Sequence, residues 1–257
     1  MRRAMLLPFL LCCAPTSVDH KAQVAARISY DLGVESFNHG DTRGALQELL
    51  KAVKKNPNLA EAHHALGLVF HTLQRHEDAL THYKRAIALK PAFSVAHNNL
   101  GTLLLDLGRY DEAIESFDRA LSDILYATPS MAEGNLGWAY YKKGEVKTGE
   151  KHLRNAVAMN PKFCRGYEWL ARIGLDKDDA ALTLWAGKRF ARYCAEDDAV
   201  AHNVSPDYLR QMQYYLGMGY LKKGEHQRAR EVFDACALDD EEAPFGQKCH
   251  QSLNTLN

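Results

Sequence analysis

Residues 60–93 read AEAHHALGLVFHTLQRHEDALTHYKRAIALKPAF, and this stretch decides the fold. A leucine-glycine pair, Leu66-Gly67, is followed by a small residue at Ala79, a large ring at Tyr83, a second small residue at Ala86 and a closing Pro91. The same order recurs along the chain. The pair returns at Leu32-Gly33, Leu100-Gly101, Leu136-Gly137 and Leu216-Gly217, and Gly33, Gly67 and Gly101 stand 34 residues apart. The first small position is taken elsewhere by Ala45, Ala113, Gly149 or Ala229, the large one by Leu49, Phe117, Leu153 or Phe233, and the second small one by Ala52, Ala120 or Ala156. Pro57 and Pro161 close two further units. A fixed period of this length identifies a helical repeat array, in which each unit is a pair of antiparallel helices unable to bury its apolar face alone.

The residues in register are those of the tetratricopeptide repeat, so the expected fold is all-α, a right-handed superhelix (α-solenoid) of about six repeats. Repeats are expected at about 26–59, 60–93, 94–127, 130–163, a degenerate 164–195, and 210–243, with a C-terminal capping helix over 244–253 and a polar loop from Ala195 to Asp207. The array makes one elongated domain, 21–257. Glycines and alanines let paired helices approach, and the large residues fill the gap. Gly40, Gly108, Gly144 and Gly224 fall where first helices stop, which suits left-handed caps, and Asp111-Glu112 favours the start of a second helix. The fourth pair follows the third by 36 residues, so two residues are inserted near 122–129.

The charge balance of 32 basic and 32 acidic residues argues against a nucleic-acid partner. No apolar run is long enough to cross a membrane. Met1-Arg2-Arg3, the apolar stretch from Ala4 to Leu11 and Cys12-Cys13 follow the order of an export signal. Leu10-Leu11-Cys12-Cys13 resembles a bacterial lipobox, which makes 1–12 the signal peptide, Cys13 the lipid acceptor and 13–20 a short tether. An ordinary cleaved secretory signal or a misassigned start is the alternative. Export also bears on Cys164, Cys194, Cys236 and Cys249. An antiparallel hairpin brings Cys164 to Cys194, and Cys236 precedes Cys249 in the following helix; two disulfides, or four buried thiols, satisfy the spacing. Each bond would stabilise by about 3–4 kcal/mol.

First helices of such arrays line a concave wall. Positions two before, two after and five after the leucine give Tyr30, Val34 and Phe37, then His64, Leu68 and His71, then Asn98, Thr102 and Leu105, and finally Trp138 and Tyr141. The stripe is apolar enough to hold an extended or amphipathic segment of a partner protein, although some of its members would instead pack on neighbouring first helices. Asn98, Asn99 and Asn135 offer hydrogen bonds to a peptide backbone or stand as plain surface residues. Catalytic signatures are missing: no phosphate loop, nucleophile elbow or cysteine-histidine motif appears, and His76-Glu77-Asp78 lacks the second histidine of a zinc protease helix. The histidines His63, His64, His71, His76 and His82 lie on separate helix faces, so no metal site, cofactor or small-molecule substrate is expected. The chain reads as a binding protein, not an enzyme.

An exported, lipobox-bearing array of this kind, with Asp123-Ile124-Leu125-Tyr126 preceding Asn135-Leu136-Gly137-Trp138-Ala139-Tyr140, resembles the pilotin lipoproteins of type IV pilus biogenesis, the PilF/PilW/Tgl family, and is most similar to the Tgl type. The resemblance covers nearly the whole chain. It implies a lipid-anchored protein on the periplasmic face of the outer membrane that binds the pilus secretin, promotes its assembly and multimerisation, and so permits pilus extension and motility. A general envelope scaffold serving another assembly is the other reading of the same array.

Overall fold

A computed structural model describes residues 17–202, 204–237 and 243–256. Cys13 and the signal-like segment lie outside the described residues, which are helical with no strand among them. The chain divides after Phe93 into two compact units. Repeats touch only their neighbours, so a boundary at a repeat junction breaks no hairpin.

The first unit holds two hairpins, α1 (Ser17–Asn38) with α2 (Thr42–Lys55), and α3 (Ala60–Thr72) with α4 (His76–Leu89). Helix α1 begins inside the stretch expected to be a tether. In the second unit, α5 (Ser94–Asp106) pairs with α6 (Tyr110–Leu121), α7 (Pro129–Lys143) with α8 (Val146–Met159), and α9 (Cys164–Asp176) with α10 (Ala180–Phe190). Helix α10 runs on as one π-helical turn, Ala191–Ala195. The expected polar loop contains a single helical turn, α11 (Asp198–Ala201), before the last hairpin, α12 (Pro206–Lys222) with α13 (His226–Ala237), and the capping helix α14 (Pro244–Thr255).

First and second helices differ in how they are covered. In α6 the buried residues Ala113, Ser116, Phe117 and Ala120 form one stripe at helical spacing, so one face packs and the other meets water. In α3 the buried set Ala62, Ala65, Leu66, Gly67, Val69 and Phe70 reaches around most of the helix. The helix is sandwiched, as an inner layer must be.

The leucine-glycine pair explains the hairpin contact. A Cβ added at Gly67 would lie 2.4 Å from the Tyr83 ring, at Gly101 2.6 Å from Phe117, at Gly217 2.4 Å from Phe233 and at Gly33 2.7 Å from Leu49. In every case the obstructing residue stands sixteen positions on. Repeat five inverts the arrangement: Ala171 replaces the glycine, and the position sixteen residues later is Gly187, against which Leu216 of α12 packs. Turns between paired helices share one device too. Gly40, Gly108, Gly144 and Gly224 have positive φ as expected, and Gln74 and Asp178, at φ 58° and 59°, take the same left-handed conformation in repeats two and five.

Helices α2, α4 and α8 each end two residues before the closing proline of their repeat. The insertion after repeat three is the turn 122–128. There Asp123 accepts from the Ser94 hydroxyl at 2.5 Å and from the Leu125 amide at 2.9 Å. Tyr126 is buried with Ala120 and Ala132, which leaves Ile124 and Leu125 exposed. Both expected disulfides are formed. Cys164–Cys194 ties the start of α9 to the π-helical turn, and Cys236–Cys249 ties α13 to the capping helix, with Cα–Cα separations of 5.9 and 6.1 Å.

Candidate protein-binding site

Five of the expected stripe residues converge in the first unit. Tyr30, Val34 and Phe37 on α1 and His64 and Leu68 on α3 line one cavity of about 250 Å³, floored by Leu49, Ala65 and Val69. The five are half-buried, so each presents part of its side chain to the opening. Their spacing is what brings them together: positions i, i+4 and i+7 of α1 share a face, and so do i and i+4 of α3. The cavity wall is uncharged at neutral pH. His64 sits against the rings of Tyr83 and Phe93, and burial pushes its pKa down to about 4. Burial likewise raises the Tyr30 phenol. The cavity therefore suits an apolar side chain or a helix face, held by contact and water exclusion.

In the second unit the stripe ends in an aromatic ladder. The Trp138 ring stacks on Tyr141 at 4.8 Å and on Trp169 at 5.1 Å, the two indoles only 6° from parallel. Phe163 meets Trp169 edge-on at 6.1 Å. Arginines lie over the ladder, with the Arg172 guanidinium 5.5 Å from the Trp138 ring and that of Arg165 5.8 Å from Trp169. The Tyr141 hydroxyl donates to the Asp176 carboxylate. Burial first, and that carboxylate second, push the Tyr141 phenol up to about 12. Behind the ladder Glu168 is raised by burial, against the opposing pull of Arg165, and accepts from the Gln211 amide at 3.2 Å. Trp138 and Tyr141 are half-buried, so the ladder offers a flat ring surface with cations above it. Such a surface takes apolar or aromatic side chains and tolerates a nearby carboxylate.

The asparagines correct one expectation. Asn98 is only 5% exposed, and its carbonyl accepts from the Asn135 amide at 3.2 Å while its own amide donates to Asn99 at 3.3 Å. It orients Asn135 instead of meeting a partner, because its helix face is covered by α7. Leu105 is half-buried, outside both clusters just described. Trp169, which is 7% exposed, joins the site from a position that the two-before, two-after and five-after rule does not reach; its signal is an indole immediately before Leu170-Ala171, where repeats two to four carry Ala65, Asn99 and Asn135.

The histidine cluster resolves into a hydrogen bond. His63 Nε2 donates to the Pro57 carbonyl at 3.1 Å, which leaves its Nδ1 to accept from His82 Nδ1 at 3.0 Å. The two rings lie 28° from parallel with centroids 5.2 Å apart. Burial holds both rings below the usual histidine pKa. No group of three or more potential metal ligands converges among the described residues. Among those residues, too, no helix is long and apolar enough to cross a membrane.

Two tetratricopeptide-repeat family models match residues 30–92 and 94–122. No curated protein matches the chain in sequence. Among solved structures, PilW, a widely conserved type IV pilus biogenesis factor, superposes with a TM-score of 0.76 at 22% identity, over 87% of this chain and 97% of its own. Pseudomonas aeruginosa PilF gives a TM-score of 0.75 at 19% identity, over 92% of this chain and 100% of its own. MamA matches over 63% of this chain and 94% of its own, with a TM-score of 0.55 at 22% identity. Such repeats serve protein–protein interaction; the chain carries them over residues 30–92 and 94–122, and its fold is similar to that of PilW and PilF.

Proposed function

We propose that this protein is a pilotin: a lipid-anchored protein of the outer membrane's periplasmic face that binds the type IV pilus secretin and promotes its assembly. The observation that carries the reading is a fold shared with two type IV pilus biogenesis proteins over nearly their entire lengths. Matches confined to a few repeats would say only that the chain binds something. The lipobox-like start at Leu10-Leu11-Cys12-Cys13 supports the anchor, and two disulfides fit a compartment outside the reducing cytosol. The cavity around Leu68 and the ladder at Trp138 supply apolar surface that would shield a membrane-bound client segment before it inserts.

The test is capture from detergent-solubilised envelopes, with the secretin identified among the bound proteins. Wild type is expected to retain the secretin, and a Leu68→Asp/Trp138→Asp variant with unchanged helix content is expected to retain about tenfold less or lower still. If deleting the protein leaves secretin multimers and pilus extension intact, the proposal fails. Capture of a different envelope assembly as the main partner would favour the general scaffold.

A further inference from the structure

The outer face of α1 carries three apolar side chains at helical spacing. Val24, Ile28 and Leu32 are 46%, 55% and 47% exposed, in line along the helix, with Lys21 one turn before them and Glu35 one turn after. The opposite face is occupied: Ala26, Ser29 and Gly33 are buried and α1 packs against α2. In the second unit the counterparts of Leu32 are covered, Leu100 and Leu136 being 8% and 2% exposed. Leu32 has no such cover.

Two features distinguish this face from the interior of the array. The residue four before the leucine is a fully buried alanine in repeats two to four, namely Ala62, Ala96 and Ala132, and in repeat one it is Ile28. Alanine there lets a neighbouring helix come close, whereas a β-branched isoleucine holds one away. A further protein helix stacked in repeat fashion is thus the occupant that Ile28 disfavours. A fluid apolar phase needs no matching shape. Helix α1 also begins nine residues earlier than its repeat requires: α3 and α5 start at Ala60 and Ser94, which correspond to Ala26 by the 34-residue period, whereas α1 starts at Ser17. This extension carries Lys21 and Val24 toward the amino terminus. Only three residues separate Ser17 from Cys13, a span of at most about 14 Å.

We propose that the Val24-Ile28-Leu32 face of α1 lies on the lipid bilayer, at the boundary between headgroups and acyl chains, with Lys21 at the anionic headgroups. The inference rests on the anchored reading above, which holds α1 beside the leaflet. The helix then acts as a second membrane signal: one acyl-bearing residue places the protein at the surface, and the face fixes its orientation there. Glu35, at the far end, marks where the helix leaves the apolar layer.

The experiment is flotation with vesicles of phosphatidylethanolamine and phosphatidylglycerol, using the chain from Ala14 onward, which keeps every described residue and lacks the acyl acceptor. Wild type is expected to float with the vesicles. A Val24→Ser/Ile28→Ser/Leu32→Ser variant is expected to lose more than tenfold in partitioning, with helix content and secretin capture unchanged. Absence of flotation by the wild type overturns the proposal, as does equal flotation by the variant. A concentration-dependent dimer in sedimentation that the triple variant abolishes would likewise overturn it and assign the face to a second copy of the chain. Because no acyl group or secretin enters the flotation, its failure is separate from that of the pilotin reading, which the capture experiment decides.

Discussion

Replacing Gly67 with alanine tests the close helix contact that the leucine-glycine pair makes in every hairpin except that of repeat five. Inside a helix alanine is favoured over glycine by about 1 kcal/mol, so propensity alone predicts that Gly67→Ala stabilises. The new Cβ would stand 2.4 and 2.5 Å from two ring carbons of Tyr83, more than 1 Å inside the usual contact of about 3.5–4.0 Å. Tyr83 is fully buried, so its ring has no solvent side into which to swing. Overpacking of this kind costs about 1–3 kcal/mol, and an overlap this deep falls in the upper part of that range. After the propensity gain, net destabilisation of about 1–2 kcal/mol remains. Urea unfolding followed by far-ultraviolet circular dichroism reads it as a lower midpoint at unchanged slope. Gly187→Ala is the matched control, since its nearest neighbours are side-chain atoms of Leu216 at 3.0 and 3.2 Å, which can yield by a few tenths of an ångström. That variant is expected within about 1 kcal/mol of wild type. If Gly67→Ala is as stable as wild type or more so, ring contact is not what requires glycine there.

The Cys164→Ser/Cys194→Ser and Cys236→Ser/Cys249→Ser variants should each lower stability by about 3–4 kcal/mol, the 30-residue loop at the upper end and the 13-residue loop at the lower, and reduction of both bonds by about 6–7 kcal/mol; denaturant unfolding with and without dithiothreitol checks it. Gln74→Gly should raise stability by about 0.5–1 kcal/mol, because the left-handed conformation strains a residue with a Cβ more than glycine's extra unfolded freedom costs, and a thermal melt that moves down would contradict this. Burial holds the folded His64 pKa at about 4 against an ordinary histidine value of 6.5, so the unfolded chain holds its proton more tightly. The contribution is full above pH 6.5 and is lost as pH falls toward 4, up to about 3 kcal/mol in all. Unfolding midpoints measured between pH 7 and 4 should fall less steeply for His64→Phe than for wild type.

The hairpins were legible because every repeat but the fifth states its own contact twice, once as a small residue on the first helix and again as a large one sixteen positions later. Gly67 with Tyr83 and Gly217 with Phe233 are the same sentence in different side chains. The left-handed turns were legible where glycine marks them, at Gly40, Gly108, Gly144 and Gly224, and hidden at Gln74 and Asp178, where the turn geometry imposes the conformation on residues that do not advertise it. The cavity in the first unit followed from spacing alone, since helical periodicity puts Tyr30, Val34 and Phe37 on one face. Asn98 obeys the same periodicity and is nonetheless consumed by Asn135. Spacing fixes the face a residue occupies, but whether a neighbouring helix covers that face depends on packing that one repeat's sequence does not contain.

The ladder shows where function enters a repeat array. In repeats two to four the residue before the leucine is small or polar, and the helix face there is spent on spacing and on hydrogen bonds such as that between Asn98 and Asn135. Repeat five puts Trp169 at this position, sets Gly187 on the second helix opposite Ala171 where other repeats carry a large residue, and closes its hairpin with the Cys164–Cys194 bond. These departures are mutually consistent. An indole stacked on Trp138 needs α9 held firmly against α7 and α8, and Leu216 packed against Gly187 together with the disulfide fix the hairpin from its other side. Violations of a repeat consensus that compensate one another are the mark of a site selected for something other than stability. On that argument, Trp169→Ala should collapse the stack and expose Trp138 to solvent, shifting indole fluorescence to the red while the far-ultraviolet spectrum stays helical. An unshifted emission would mean that Trp138 is held by its own repeat, and the divergence of repeat five would then need another cause.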